Sequence, residues 1–385
     1  MTAESPRTIR FIDDGRGSFG PLTDLRPAHD LRCGLFTIAG RIERACRAAV
    51  STPRRGTLVV HARLLSLGSL GGIAPGERRV ASDGTFVAAF AADDIDDASS
   101  RAVAAARAQP SDSQVAAEFA DTPWAITSRI DRTLAEDLAV AAPGERRALR
   151  AEEGVVAGDH PVFIDPTATL GPCCVIDASK GPVVVCARAV VRPLAVLVGP
   201  CIVCEGSIVA EHARLKASTV IGPRCRVGGE IGGTIFQGSS NKAHDGHLGD
   251  SFVGEWVNVG AGSDNSNLLN TYGEVIVRLE ADSGLVRTGR QFWGSVIGDH
   301  AKLAIGTRLM TGTTIGTGAM IALSRPPATL VPRFAWLTDG ADGPKSFRFD
   351  KFMETARAMM SRRGEAPTPE IEARLRELHA RATGQ

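Results

Sequence analysis

Aliphatic side chains recur at every sixth position through the middle of the chain: Ile164, Leu170, Ile176; Val185, Val191, Leu197, Val203, Val209, Leu215, Ile221, Val227; Val253, Val259; and Ile297, Leu303, Leu309, Ile315, Ile321. Two residues before each anchor the side chain is usually small or modest, as at Ala168, Cys174, Ala189, Cys201, Ser207, Thr219, Cys225, Ala301 and Ala319. A strict six fits neither the helical 3.6 nor a plain hairpin alternation. It does fit a prism with three short strands per coil, one hexad to each face. The pattern predicts a left-handed parallel β-helix, with Gly199, Pro200, Gly222, Pro223, Gly228 and Gly229 turning its corners. Eighteen anchors over three faces give about six coils and a column on the order of 29 Å long.

The period lapses between Ile176 and Val185, between Val227 and Val253, and between Val259 and Ile297, gaps of nine, 26 and 38 residues. Each lapse predicts a loop expelled from the prism, and loops carried on a rigid frame are where binding and chemistry concentrate. Ahead of the prism, Thr8 to Ile12, Thr57 to His61 and Val87 to Phe90 read as strands, and Leu35 to Val50 as helical, which together predict an α/β layer. A longer helix is predicted from Trp124 to Ala142, with Pro123 in its first turn and Asp121 or Thr122 as cap. Behind the prism, helices around Phe352 to Met359 and Ile371 to Arg381 are expected to cap its open end. The boundaries predicted are 1–152, 153–335 and 336–385.

Composition narrows the function. With 44 basic against 43 acidic residues, no electrostatic footprint for nucleic acid or anionic lipid exists. No apolar signal core or membrane-length run is seen, so a soluble, cytoplasmic chain is expected. The eight cysteines, dispersed and without a secretory signal, read as free thiols. Cys201-Ile202-Val203-Cys204 has CxxC spacing, but Val203 is an anchor and Cys201 its small inward partner, so packing explains it. The spacing of His212, His244 and His247 fits a zinc triad poorly, and no metal is assigned to the prism.

Candidate chemistry gathers at the two long lapses. Ser240 to Asp250 holds two of the chain's eight histidines, His244 and His247, in a dense polar run. Imidazole as a side-chain type suits a general base toward an attacking amine. The same run reads equally as a solvated loop. Asn258 stands one residue before an anchor and so points outward, where it serves a substrate hydroxyl or a corner. Asp264 to Gly273 includes Asn267 and the sole tyrosine, Tyr272.

These segments resemble the acetyltransferase half of the bifunctional N-acetylglucosamine-1-phosphate uridylyltransferase/glucosamine-1-phosphate acetyltransferase, with its Lys-Ala-Gly-His, Tyr-Leu-Gly-Asp, Asn-Ile-Gly-Ala-Gly and Asn-Tyr-Asp-Gly patterns. This chain reads Lys242-Ala243-His244, His247-Leu248-Gly249-Asp250, Asn258-Val259-Gly260-Ala261-Gly262 and Asn267 to Gly273. More closely, residues 9–363 are similar to a family of sugar nucleotidyltransferase-related proteins through Pro21-Leu22-Thr23, Arg26-Pro27, Leu31-Arg32-Cys33-Gly34 and Gly298-Asp299-His300. The resemblance implies an α/β nucleotidyltransferase-like front domain, a hexapeptide-repeat β-helix acting as an N-acyltransferase, and a short helical tail. It implies an acetyl-CoA or other acyl-CoA donor, a sugar phosphate or nucleotide sugar as acceptor, and a homotrimer with its site between subunits.

On that resemblance His244 or His247 is the base, Lys242 holds a phosphate or carboxylate, and Asn258, Asn267 and Tyr272 belong to the substrate site. Counting back from Leu248-Gly249-Asp250 favours His244. The glycine between Ala and His is missing, and His-x-x-Tyr becomes His244-Asp245-Gly246-His247. In front, the family's Gly-x-Gly-Thr-Arg loop is represented by Gly15-Arg16-Gly17-Ser18-Phe19, and Arg26-Pro27-Ala28 lacks the family's lysine. Gly15, Arg16, Gly17 and Arg26 are the candidate nucleotide ligands, and Asp93, Asp94, Asp96 and Asp97 the candidate Mg²⁺ carboxylates if the domain is active. The alternative is a non-catalytic module that binds sugar nucleotides and regulates or assembles other proteins.

Overall fold

A computed structural model describes residues 8–48, 56–74, 76–91, 111–140, 146–340 and 345–384. Three columns of inward side chains run through the middle of the chain, one to each face of a parallel β-helix. Face one is a nine-stranded sheet from Val162–Ile164 to Leu330–Val331. Face two runs from Thr169–Leu170 to Ala335–Thr338 and ends in an antiparallel strand, Lys345–Ser346. Face three is six-stranded from Gly154–Ala157 to His247–Gly249, and the pair Asp264–Asn265 and Arg308–Leu309 continues it. The predicted hexad register is observed: Ile164, Val185, Val203 and Ile221 stack on face one, and Leu170, Val191, Val209 and Val227 on face two. The small side chains two residues earlier are buried in the same interior.

Nine strands on face one make the column roughly 38 Å long, not the six coils read from the hexads. The 26-residue lapse is not an expelled loop. Ile231, Phe236, Lys242 and Leu248 carry the three columns through it, paired with the rungs on either side. Three of its corners are shortened, which breaks the six-residue count without breaking the coil. Gly228 makes this possible, because a Cβ there would lie 2.4 Å from the Ala243 carbonyl oxygen. Gly229 follows in the positive-φ region at 72°.

The 38-residue lapse is half rung and half insertion. Asn265 keeps the interior column, in register with Leu309. The chain then leaves to form a two-stranded ribbon, Ile276–Val277 against Val286–Arg287. Val275, Val277, Leu279 and Trp293 from this insertion pack into the front domain's core.

The front domain is a five-stranded mixed sheet with helices. In chain order its strands are β1 (Thr8–Ile12), β2 (Thr57–His61), β3 (Glu77–Val80), β4 (Phe86–Ala91) and β5 (Ser111–Gln114), and in space they run β1-β2-β4-β3-β5. Helix α1 spans Ile38–Ala48. The single helix predicted from Trp124 is two, α2 (Pro123–Thr127) and α3 (Ile130–Val140). The cap is Thr122, whose hydroxyl accepts from the Ala125 amide at 3.2 Å. At the break Arg129 turns to donate to the Leu65 carbonyl and to Glu118 and Glu136. Arg41 and Asp137, both fully buried, join α1 to α3 at 2.9 Å.

Face one lies under this domain. Phe163, Val184, Ile202, Val220, Ile235, Phe252 and Val296, each one residue before a face-one anchor, belong to the front domain's core. The helical tail, α4 (Phe349–Ser361) and α5 (Pro369–Thr383), does not simply cap the end. Phe352 packs on Phe334 and His300, and Arg363 reaches Trp256, Arg224 and Asn241. The tail therefore follows the corner between faces one and two down several rungs.

Candidate functional site

With face one beneath the front domain and the adjoining corner under the tail, face three is the open wall of the prism. Its outward column reads Arg214, Glu230, His247, Asp264, Arg308, alternating in charge from rung to rung. Glu230 pairs with Arg214 at 3.0 Å and with Lys216 at 2.5 Å, and the Lys216 hydrogen bond draws its carboxyl below the usual range. His247 follows, with Nε2 4.0 Å from Glu230.

His247 is held in a fixed orientation. Its amide donates to Asp264 Oδ1 at 2.5 Å, and ring Nδ1 lies 3.1 Å from the Asn265 carbonyl oxygen. A carbonyl accepts only, so Nδ1 carries a proton, and in the neutral tautomer Nε2 is the nitrogen with the lone pair toward the face. Asn267 joins it: its amide donates to Asp250 at 2.6 Å. Asp250 has its carboxyl raised by burial and lowered in part by that same hydrogen bond. Gly249 lies between them; a Cβ there would come within 2.7 Å of both the His247 ring and the Asn267 amide.

The other predicted residues are not in this group. His244 is exposed on the corner between faces two and three, with no side-chain hydrogen bond among the described residues. Asn258 points out of face two, where it pairs with Asn241 at 3.4 Å. Tyr272 lies in the insertion at 70% exposure. Lys242 requires a correction, because it stands at an interior anchor between Val227 and Val259 and is 2% exposed. Its ammonium donates to the His244 and Gly228 carbonyls at 2.9 and 3.2 Å, and burial lowers its pKa from 10.5 to about 8. It faces the prism's core and not a ligand.

In the front domain the glycine turn is filled by the chain's own carboxylates. The Gly15 amide donates to Asp13 Oδ1 at 2.9 Å, and the Arg16 amide to Asp14 Oδ1 at 3.0 Å. Asp14 also accepts from Arg63 at 2.7 Å and lies 3.3 Å from His61. Burial raises its carboxyl, but these donors outweigh it and bring the pKa to about 2. Gly17 has a packing reason, since a Cβ would meet the Phe19 ring at 2.5 Å. The Arg16 side chain is exposed.

Arg26 is the second correction. It bridges Glu255 at 3.0 Å and the fully buried Asp299 at 2.9 Å, joining the front domain to the solenoid. It is therefore not a free phosphate ligand. The Asp93 to Asp97 carboxylates lie outside the described residues. Among those described, no group of three or more His, Cys, Asp or Glu side chains is placed to hold a metal ion, and no helix is long and apolar enough to cross a membrane.

Residues that sequence reasoning did not single out are Arg214, Lys216, Glu230 and Asp264. Their signal was available in the charge alternation eighteen or fewer residues apart, but it needed the register of the shortened coil to be read.

These elements define an α/β domain clasped to a parallel β-solenoid, with a polar wall left open. Residues 8–146 match the family model described as sugar nucleotidyl transferase. The chain is similar to the bifunctional protein GlmU of Methanococcus aeolicus, 32% identical over 111 residues, 28% of this chain and 26% of that one. It is also similar to the bifunctional sugar-1-phosphate nucleotidylyltransferase/acetyltransferase of Sulfurisphaera tokodaii, 28% identical over 112 residues, 29% of this chain and 27% of that one. The matched segment spans about a quarter of these relatives' length. Among solved structures, the UDP-N-acetylglucosamine acyltransferase of Francisella novicida aligns at TM-score 0.33 and 16% identity, over 58% of this chain and 77% of that one.

Proposed function

We propose that this chain is a transferase of sugar-nucleotide chemistry whose solenoid moves an acyl group from an acyl-CoA to the amine of an amino-sugar phosphate or nucleotide sugar. The observation that carries the reading is His247, an imidazole whose Nδ1 is committed to the Asn265 carbonyl and whose Nε2 is open on an otherwise charged face. The GlmU relatives and the sugar nucleotidyl transferase model supply the substrate class. In the reaction the amine attacks the thioester carbonyl, the C–N bond forms, the C–S bond breaks, and Nε2 takes the ammonium proton. Lys216 and Arg214 are the cations on the same face that suit a substrate phosphate, in place of the buried Lys242.

His247 and Asn267 belong to face three, whereas Asn258 projects from face two, so one protomer does not bring them together. A homotrimer whose neighbouring copy presents face two to face three would. The front domain, with its turn occupied by Asp13 and Asp14, is read as a scaffold with nucleotidyltransferase ancestry, not as a second active site.

The test is release of CoA from acetyl-CoA with glucosamine-1-phosphate by the full-length protein. His247→Gln should lower kcat at least about a hundredfold, with His244→Gln close to wild type. The reverse order makes His244 the base. No transfer, with retained binding of a sugar nucleotide, supports the non-catalytic module.

A further inference from the structure

Two cysteines exactly one coil apart in the register stand at the junction of the domains. The strands Val183–Val185 and Cys201–Val203 pair in register, so Cys186 and Cys204, the next residue of each, lie side by side on adjacent rungs. Parallel neighbours at about 4.8 Å fall inside the ~4.4–6.8 Å that a disulfide spans between Cα atoms. The neighbouring Cys204 sulfur and burial push the Cys186 thiol up, and Arg32 of the front domain donates to Cys204 Sγ at 3.6 Å. Cys204 is 3% exposed, whereas Cys186 is half-buried and reachable.

Arg32 gives the pair its place in the assembly. Its guanidinium also donates to the Leu35 carbonyl at 2.8 Å and the Gln237 carbonyl at 3.2 Å, holding the front domain to face one. A thiol donor and a guanidinium on one sulfur favour its thiolate. The hydrogen bond from Cys186, followed by the Arg32 charge, outweighs burial and brings Cys204 down to about 7. The interior thiols Cys201 and Cys225 are pushed the other way by burial, to about 12.

We propose that Cys186 and Cys204 are a redox modification site, a vicinal dithiol that closes reversibly to a disulfide under a hydroperoxide. With the pair sharing one proton, the Cys204 thiolate takes the first step. Its sulfur attacks a peroxide oxygen, the S–O bond forms, the O–O bond breaks, and the departing hydroxide is protonated to water. Cys186 then attacks the sulfenic sulfur; the S–S bond forms, the S–O bond breaks, and the hydroxyl leaves with the Cys186 proton as a second water. Two thiols are oxidised and one hydrogen peroxide is reduced to two waters. Closure removes the thiolate that Arg32 holds, so the modification acts on the contact between the domains.

The test uses the full-length protein as Cys173→Ser, which removes the exposed thiol and leaves seven. After hydrogen peroxide the denatured chain is alkylated and weighed, with and without dithiothreitol, and its peptides are mapped. The expected result is two fewer alkylated cysteines, restored by dithiothreitol, with the peptide of Cys186 linked to that of Cys204. Cys186→Ser in the same background should abolish the two-thiol loss. Seven alkylated cysteines after peroxide, or a link through Cys201 instead, overturns the assignment. Peptide mapping of the unsubstituted chain decides the matter even where the serine variant folds poorly.

Discussion

Replacing Lys242 with methionine tests whether the shortened coil is truly part of the prism. The side chain stands in an apolar column between Val227 and Val259, and burial holds its pKa at about 8 instead of 10.5. Asp264 and Asp245 pull it back only partly. A base depressed in the folded state binds fewer protons there than in the unfolded chain between pH 8 and 10.5, so stability rises with pH across that window. The full depression corresponds to about 3 kcal/mol at most. Methionine abolishes the rise, because it has nothing to titrate. Below about pH 8 it also relieves the cost of the buried ammonium, offset by about 1–3 kcal/mol for leaving the His244 and Gly228 carbonyls without their donor. Urea unfolding of both proteins, followed by circular dichroism in steps from neutral pH to the upper limit, gives a difference curve in which every shared titration cancels. The curve should move toward the wild type by up to about 3 kcal/mol. A difference independent of pH would show that Lys242 reaches solvent and would return it to the list of phosphate ligands.

Arg26→Met leaves the buried Asp299 carboxylate without its partner and should cost about 3–5 kcal/mol in thermal unfolding; Arg26→Met with Asp299→Leu should recover much of that, and equal losses in both would refute the clasp. Phe252, fully buried between face one and the front domain, should lose about 3–5 kcal/mol as Phe252→Ala, read by the same melt. Asp14→Ala vacates a cradle made of the Arg16 amide, Arg63 and His61, so inorganic pyrophosphate should bind the variant by calorimetry where it does not bind the wild type. Heat of binding absent from both would show that the cradle is not an anion site.

The repeat was legible because each anchor is a buried aliphatic residue and a six-residue step has no other common source. It failed at Ile231 and Phe236, where corners lose one or two residues, and at Lys242, where the inward residue is not aliphatic. A count of hexads measures regularity, whereas strand pairing through the backbone tolerates both exceptions. The covered face was legible in principle. Val184, Ile202, Val220, Ile235 and Phe252 are apolar one residue before each face-one anchor, while the matching face-three positions include Arg214, Glu230 and His247. Alternation between inside and outside hides this, since the difference appears only when every third rung position is compared. His247 was singled out by its polar run and Asn267 by resemblance to a known site, but their convergence over Gly249 depends on a register that no spacing supplies.

The segments on which the whole-chain resemblance rested have physical tasks that can be stated separately from catalysis. Arg26-Pro27 and Gly298-Asp299-His300 lie far apart in sequence and meet in one ion pair, with Asp299 also accepting from the Glu255 amide at 2.6 Å. Leu31-Arg32-Cys33-Gly34 supplies the guanidinium that ties the front domain to Gln237 and Cys204. Pro21-Leu22-Thr23 opens onto Asp24, which binds Arg333 at 2.8 Å while Arg333 also grips Glu280 of the insertion. Each of these contacts crosses between the front domain and the solenoid, and each leaves a buried charge or donor unmet if one side is removed. The consequence for the open wall is indirect: by occupying face one, the front domain leaves face three and the outward edge of face two as the faces of the prism that it does not cover.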